Sequence, residues 1–91
     1  MAVLITDEVP GMTKEAYEGL HAMFDASSRE APGFIFHAAG PIDGGWQITE
    51  VWESQQDRDA FFEKYVTPLL PADAPRPNTT MREIVSYTTR P

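Results

Sequence analysis

The stretch that decides the fold is residues 44–54, which read Gly44-Gly45-Trp46-Gln47-Ile48-Thr49-Glu50-Val51-Trp52-Glu53-Ser54. It opens with a glycine pair after Asp43, a turn signal, and then alternates as a β-strand does. It closes on Ser54, which with Asp57 three residues later is typical of a helix start. Because strand side chains alternate between two faces, one face carries Trp46, Ile48, Glu50 and Trp52. A carboxylate among large apolar groups predicts either that Glu50 is paired inside a cavity or that this face is wet.

Composition limits the classes of protein that this chain can represent. Its 91 residues predict one domain over 1–91, and so short a chain gains stability from association. The absence of cysteine excludes disulfides, thiolate metal sites and cysteine nucleophiles. The formal net charge of −7 argues against binding nucleic acid or an anionic membrane. With no leader-like or transmembrane-length apolar run, we expect a soluble cytoplasmic protein that binds another protein or a small apolar molecule.

Hydrophobic periodicity and turn signals predict two helices and four strands. In chain order, the expected elements are strand 2–6, helix 13–28, strand 34–39, strand 46–53, helix 55–66 and strand 79–89, with an irregular loop over 69–78. This order is the ferredoxin-like βαββαβ pattern of the α+β class, an antiparallel four-stranded sheet with both helices on one face. The open sheet face also needs cover. We expect a second copy of the chain to supply it, sheet to sheet, as an α+β barrel.

Alternation and helical spacing also predict which side chains share a face. Strand 34–39 is expected to place Phe34 and Phe36 on one face and Ile35 and His37 on the other. The second helix is expected to bury an apolar stripe. Its members are Ala60, Phe61, Phe62, Tyr65 and Leu69.

Three short motifs carry a resemblance to a known family. They are Gly45-Trp46 through Val51-Trp52-Glu53-Ser54, the helix with Phe61-Phe62, and the lead Ala31-Pro32-Gly33-Phe34. With the element order, they make the chain resemble the antibiotic-biosynthesis-monooxygenase-like branch of the dimeric α+β-barrel superfamily. The resemblance implies two ferredoxin-like subunits packed sheet to sheet, each with a cavity between its sheet and helices. Members include cofactor-free oxygenases of polyketide-like aromatics, haem-degrading enzymes and polyketide cyclases.

Carrying the family's functional residues across shows where this chain departs from them. The resemblance places the family's cavity tryptophan at Trp52. The oxygenases have Asn four residues before it, where this chain has Ile48, and Tyr about six after it, where this chain has Arg58. Haem-degrading members have His about ten after it, here Phe62, and an Asn that falls near Glu8. Both residue sets differ in this chain, which argues against haem degradation and weakens an oxygenase assignment.

A different pair of residues is suited to proton transfer. If the hairpin loop is even and centred on Asp43-Gly44, paired residue numbers sum to 87 and His37 lies directly opposite Glu50. Such residues have Cβ atoms about 4.5–5.5 Å apart. A carboxylate beside an imidazole favours the protonated ring and fixes its tautomer, which makes a usable base near neutral pH. A register change of one residue would place His37 opposite Thr49 or Val51 and remove the pair.

The predicted catalytic residues are therefore His37 and Glu50, in a cavity lined by apolar and aromatic side chains. The predicted substrate-binding residues are Ile35, Trp46, Ile48, Trp52, Tyr17 and Tyr65. Each set has a plainer alternative. A lone strand histidine is more often a hydrogen-bonded structural residue, Glu50 can bond the backbone or a cross-dimer group, and tryptophans and tyrosines are more often core. Two histidines and scattered acids show no metal-ligand spacing, so we predict no metal and no cofactor.

Three functions remain open from the sequence. The first is a cofactor-free, monooxygenase-like oxidoreductase for a small aromatic or polyketide-like molecule, in which proton removal gives an electron-rich carbanion that reacts with oxygen. The second is a polyketide cyclase or isomerase that uses the same pair without oxygen, so oxygen consumption separates the two. The third is a non-catalytic dimeric binding or accessory protein whose cavity is filled by side chains.

Overall fold

A computed structural model describes residues 1–74 and 76–90, and it contains a four-stranded antiparallel sheet with helices on one face. The elements are β1 (Val3–Pro10), α1 (Lys14–Glu30), β2 (Phe34–Ile42), β3 (Gly45–Trp52), α2 (Gln55–Phe61) with a π-helical turn (Phe62–Val66) and a 3-10 turn (Thr67–Leu69), and β4 (Asn78–Glu83). The strand order is β2-β3-β1-β4. The predicted ferredoxin-like fold is confirmed. Among the described residues, each helix is too short or too polar to cross a membrane.

Both helices begin at the predicted capping residues. Thr13 Oγ1 accepts a hydrogen bond from the backbone N–H of Ala16 at 3.1 Å. Ser54 Oγ accepts one from the N–H of Asp57, also at 3.1 Å. Each bond satisfies one of the backbone donors that a helix leaves unpaired in its first turn.

The first strand extends beyond its predicted end, through Asp7 to Pro10. It lies inside the sheet and pairs with β3 on one side and β4 on the other. Asp7 faces the helices and is buried. Thr79 Oγ1 donates to it at 2.5 Å, and Arg58 Nη2 lies 3.5 Å away. Because these partners replace the water that the carboxylate loses, the acidic residue does not end the strand.

The core lies between the sheet and α2, and a bulge in β2 shapes one side of it. Trp52 is fully buried, with the edge of Phe34 packed on it at 5.4 Å between ring centroids. Phe34 pairs with Trp52 but Phe36 pairs with Val51, so one extra residue, Ile35, lies between them. The extra residue inverts the alternation. The prediction that Phe34 and Phe36 share a face is therefore wrong, because Phe34 packs on the core whereas Phe36 lies on the open face.

The second helix changes its period after Phe61, and this changes which side chains it buries. In the π-helical turn Phe62–Val66, hydrogen bonds run from residue i to residue i+5. Phe61 and Val66, five residues apart, are both buried in the core. Ala60, Tyr65 and Leu69 are exposed. The predicted stripe is therefore wrong at those three positions.

The last strand ends at Glu83, six residues before its predicted end. Glu83 pairs with Val3, and the N–H of Ile84 donates to the carbonyl of Ala2 at 2.9 Å. Since β1 begins at Val3, the pairing of the two strands ends there, and residues 85–90 form no strand.

The connection from α2 to β4 is irregular, as predicted. After the 3-10 turn, the described residues between Leu70 and Pro77 contain turns but neither a helix nor a strand. Pro75, which the prediction also covered, lies outside the described residues.

The turn before β2 yields a stability prediction. Gly33 has a φ of +84°, and a Cβ atom there would collide with the side chain of Asp57. Gly33→Ala should therefore lower the free energy of unfolding by about 1–3 kcal/mol. Gly19, inside α1, has open space around its Cα atom. As the matched control, Gly19→Ala should raise stability by about 0.5–1 kcal/mol.

Urea unfolding followed by circular dichroism measures both changes. Equal effects of the two alanines would contradict the strain that we assign to Gly33.

Candidate active site

The hairpin of β2 and β3 sets the register of the site. Its two-residue turn is Asp43-Gly44, and Gly44 has a φ of +77°, a value that glycine adopts without steric cost. Ile42 pairs with Gly45 directly after the turn, and the register continues unbroken to the pair of His37 and Glu50. The structure has the register in which paired numbers sum to 87, and both side chains lie on the helix side of the sheet.

Four side chains form one hydrogen-bonded chain at this point. His37 Nδ1 lies 2.9 Å from Glu50 Oε2. His37 Nε2 lies 2.5 Å from the hydroxyl oxygen of Tyr17, which reaches down from α1. Trp52 Nε1 donates to Glu50 Oε1 at 3.2 Å. Each ring nitrogen of His37 and each carboxylate oxygen of Glu50 therefore has a partner.

The direction of these hydrogen bonds follows from the chemistry of the groups. The indole N–H of Trp52 can only donate, and an ionised carboxylate only accepts. Glu50 therefore accepts at both oxygens, and His37 donates from Nδ1. In the neutral imidazole the other nitrogen, Nε2, is then an acceptor, so Tyr17 donates its hydroxyl proton to it. The result is a series of hydrogen bonds with one direction: Tyr17 donates to His37, and His37 donates to Glu50. The carboxylate of Glu50 thus orients the imidazole, and the other nitrogen of the imidazole accepts from the phenol of Tyr17.

Tyr17 remains a phenol in this chain because its surroundings oppose ionisation. Burial raises the pKa of Tyr17 above its usual value of 10.0, and the negative charges of Glu50 and Asp25 raise it further. At neutral pH the hydroxyl group keeps its proton and stays a donor to His37.

Of these hydrogen-bonded side chains, Tyr17, His37 and Glu50 line a cavity of about 150 Å³ between the sheet and the helices. Its apolar wall includes Val9, Leu20, Phe24, Ile48, Phe61 and Phe62. Its polar wall includes Asp7, Tyr17, His21, Asp25, His37 and Glu50.

Each carboxylate of the polar wall already has a positive or hydrogen-bonding partner. Asp7 is paired with Arg58, and Asp25 Oδ2 lies 2.9 Å from Arg29 Nη2. Glu50 is held by His37. The cavity therefore offers no uncompensated acid to a ligand, and among the described residues no lysine or arginine lines it.

The structure brings part of the predicted site together. His37, Glu50, Tyr17 and Ile48 line the cavity. Trp46 lies beside it, with its ring stacked on Tyr17 at 5.5 Å between centroids. Trp46 therefore supports the tyrosine from the side.

The other three predicted lining residues lie elsewhere. Trp52 belongs to the core and reaches the site through its indole N–H. Ile35 is the extra residue of the bulge. Tyr65 is exposed, and its ring packs on Phe61 at 5.2 Å. The expectation that Trp52, Ile35 and Tyr65 line the pocket is therefore wrong, because core packing, the bulge and the exposed position of Tyr65 place them outside it.

The sequence interpretation missed two groups of cavity residues. His21 and Asp25 follow Tyr17 at spacings of four, which puts all three on one face of α1, so the signal was present. The pairing of Asp7 with Arg58 had no such signal, because it joins β1 to α2 across the packed interior.

Some members of the family that this chain resembles degrade haem, but haem does not fit this site. A cavity of about 150 Å³ is smaller than the roughly 300–1,000 Å³ of typical ligand pockets. His37 has both ring nitrogens engaged, by Tyr17 and Glu50, and so has no free nitrogen for iron. Phe62 fills part of the wall with an apolar ring. Among the described residues, no group of three or more His, Asp and Glu could hold a metal ion.

The raised pKa of Tyr17 gives a testable titration. Above about pH 10 an unfolded tyrosine loses its proton while folded Tyr17 retains it. The stability from the buried phenol is therefore complete below that pH and declines above it. Tyr17→Phe should remove this decline and the last part of the tyrosinate absorbance change. Tyr87→Phe, at an exposed tyrosine, is the control and should leave both in place.

Ultraviolet absorbance titration with parallel denaturant unfolding measures the two effects. An unchanged late signal in Tyr17→Phe would contradict the assignment.

Comparison with known proteins relates this geometry to other folds. No protein-family model and no curated protein matches the chain. Several solved structures do match it. Protein YjcS is 13% identical to this chain with a TM-score of 0.69, and the match covers 93% of this chain and 100% of the YjcS chain. SnoaB, a cofactor-independent oxygenase from Streptomyces nogalater, is 14% identical with a TM-score of 0.63, covering 99% and 96%. The haem-degrader MhuD from Mycobacterium tuberculosis, with two haems bound, is 18% identical with a TM-score of 0.62, covering 98% and 100%. At these identities the likeness shows the fold alone, which is the ferredoxin-like α+β fold described above.

Proposed function

We propose that this chain is a cofactor-free, monooxygenase-like enzyme that removes a proton from a small aromatic molecule. The observation that carries the proposal is the directed chain from Tyr17 through His37 to Glu50, which opens on an apolar cavity. A hydrogen-bonded base with an oriented carboxylate behind it is the arrangement that general-base catalysis requires.

The proposed step moves two protons in the same direction. The hydroxyl or activated C–H bond of the substrate breaks, and its proton passes to the oxygen of Tyr17. The hydroxyl proton of Tyr17 passes at the same time to His37 Nε2. The substrate is left as an anion, and His37 becomes an imidazolium that Glu50 stabilises across 2.9 Å. An electron-rich substrate anion of this kind can react with dioxygen directly, so the step needs no cofactor.

The volume and the charge of the cavity limit which molecules can be the substrate. A volume of about 150 Å³ is that of a cavity that accepts a single benzene ring. Since the wall carboxylates are compensated and no lysine or arginine among the described residues lines the cavity, an anionic ligand would enter without a countercharge. The proposed substrate is therefore a neutral, single-ring hydroxyarene or an enol of similar size. The cofactor-independent oxygenase SnoaB, which shares the fold, supports the proposed kind of chemistry.

Oxygen consumption tests this proposal. The purified protein is given 1,4-dihydroxybenzene as the single-ring probe and an anthrone as a larger one. We expect oxygen uptake with the smaller probe, and a loss of about 10²–10⁴-fold in His37→Gln, because the base is removed. Tyr17→Phe should also lose activity, since it breaks the proton path. Tyr65→Phe is the matched control, because that hydroxyl group lies outside the cavity, and it should retain full activity.

Two other outcomes would replace the proposal. Exchange of a substrate C–H for solvent deuterium without oxygen uptake would indicate the cyclase or isomerase reaction. Binding of either probe without exchange or uptake would indicate a binding protein.

We also propose that a second copy of the chain covers the open face of the sheet. Leu4, Val51 and Phe36 form one row across β1, β3 and β2 on the face opposite the helices. Phe36, on this face, is 42% exposed. A sheet face with this apolar content is typical of an interface rather than of a free surface.

Light scattering tests the proposed dimer. The wild-type protein should have twice the chain mass of 10.2 kDa. Phe36→Asp should shift it toward the monomer, because it places a charge within the proposed interface. Met23→Asp is the control, at an exposed apolar residue on α1, and should leave the mass unchanged. A wild-type protein with the monomer mass would overturn this proposal.

A further inference from the structure

A second histidine lies against the proton-transfer chain without belonging to it. His21 is one turn after Tyr17 on α1, and the two rings are stacked with centroids 5.6 Å apart and planes 14° apart. The ring of His21 is also 5.3 Å from that of His37, with planes 17° apart. His21 therefore touches both members of the proposed relay, Tyr17 and His37, on the same side of the cavity.

His21 has a carboxylate of its own. Its Nε2 lies 3.2 Å from Asp25 Oδ1, and the other oxygen of Asp25 is held by Arg29 at 2.9 Å. The site thus contains two imidazole–carboxylate pairs, His37 with Glu50 and His21 with Asp25. They differ in exposure: the side chain of Glu50 is 10% exposed, that of His37 22%, and that of His21 43%.

The more buried of the two pairs, His37 with Glu50, is the inner pair. After each proton transfer it needs an outlet, that is, a group through which the proton can leave. The proton that His37 gains lies between the ring and Tyr17, and the other ring nitrogen is bonded to Glu50. Until that proton leaves, His37 cannot act as a base again. His21 is a titratable side chain whose ring is stacked on that of His37, and 43% of it is exposed to solvent.

We propose that the His21–Asp25 pair is this outlet: it takes the proton from the inner pair and passes it to solvent. The inference rests on the proposed function and deepens it. The N–H bond at His37 Nε2 breaks, and a new N–H bond forms at His21. Since stacked rings do not hydrogen-bond to each other, the transfer runs through the Tyr17 hydroxyl or a water molecule. His21 then gives the proton to a buffer base, while Asp25 stabilises its charged form.

Other groups facing His21 are less suited to this role. Tyr17 and Asp25 lie on the same helix, and His37 faces it from β2 with Glu50 behind. Asp7, on β1, also lines the cavity, but it is 4% exposed and bonded to Thr79 and Arg58.

The His21–Asp25 pair also differs from an ordinary surface ion pair. Lys14 and Glu18 make such a pair on the same helix, with 71% and 62% of their side chains exposed, and neither lines the cavity. His21 and Asp25 both line it. An exposed ion pair at this spacing contributes little to stability, so stability alone gives no reason for the His21–Asp25 pair to face the cavity.

The test measures how fast the proton shared by Tyr17 and His37 exchanges with water. This exchange is monitored by NMR on ligand-free protein labelled with ¹⁵N-histidine. Saturation transfer from water gives the exchange rate. His21→Gln should slow this exchange by at least about 10²-fold, the lower end of what a positioned proton-transfer group provides. Added free imidazole should restore the rate in the variant, which a purely structural role for His21 would not permit.

Two further variants control the measurement. Asp25→Asn keeps the ring of His21 and should slow the exchange less. Lys14→Gln removes the surface ion pair and should leave the rate unchanged. The ¹⁵N shifts of His37 should stay as in the wild type, showing that the inner pair is intact. A rate in His21→Gln equal to or above that of the wild type, or a shared proton that exchanges too fast to observe in both, would overturn the outlet.

This result is separable from the proposed function. Absence of oxygen uptake with slowed exchange would reject the proposed oxygenase and keep the proton path. Oxygen uptake that depends on His37, with exchange indifferent to His21, would reject the outlet alone.

Discussion

The burial of Glu50 is the constraint on which the rest of this structure depends. The residue is 8% exposed, on a sheet face that buries apolar side chains such as Ile5 and Trp52. An ionised carboxylate there is tolerated only when both oxygens are hydrogen-bonded, and removing one partner of such a pair typically costs about 3–5 kcal/mol. One partner, Trp52, is fixed by the hydrophobic core, and the other, His37, by the neighbouring strand. The packing of the core and the geometry of the site therefore share a residue, so a change that loosens Trp52 also releases Glu50.

The register of β2 against β3 is what brings His37 to that carboxylate. A slip of one residue would turn His37 to the open face, because strand side chains alternate with a period of two. Two features protect the register. The two-residue turn at Asp43-Gly44 fixes it at one end, and the bulge at Ile35 lies beyond His37 at the other. A bulge between His37 and the turn would have broken the pair, whereas at Ile35 it only redirects Phe34 onto the core.

The features that the sequence predicts correctly are those governed by neighbouring residues. The helix caps Thr13 and Ser54, the element order and the hairpin register each depend on a few adjacent residues. The bulge at Ile35 and the π-helical turn were not predictable in this way, because both are responses of the backbone to packing against other elements. The end of β4 depends on where β1 begins, about 80 residues earlier in the chain.

The same distinction between local and long-range interactions applies to the functional site. The pairing of His37 with Glu50 follows from strand alternation once the turn is placed. The contact of Tyr17 with His37 joins a helix to a strand across the cavity, and helical periodicity shows only that Tyr17 faces the sheet. Whether its hydroxyl reaches an imidazole depends on the height and tilt of α1, which no local pattern encodes. Tyr17 was therefore predicted to line the cavity, but its place in the hydrogen-bonded chain came from the fold.

The position of Tyr17 between cavity and base also limits the chemistry that the proposed enzyme can perform. Tyrosinate would be a strong base, but burial and the charges of Glu50 and Asp25 raise the pKa of Tyr17, so the phenol form persists. Tyr17 can then pass a proton only while giving its own to His37, and the base strength available to the substrate is that of an imidazole. Each pKa unit by which a substrate is less acidic than the imidazolium adds about 1.4 kcal/mol to the cost of deprotonation. Such a site selects substrates whose anions are delocalised, as those of electron-rich hydroxyarenes and of enols between two carbonyl groups are. These are also the anions that react with oxygen without a cofactor, so the acidity requirement and the proposed oxidation select the same molecules.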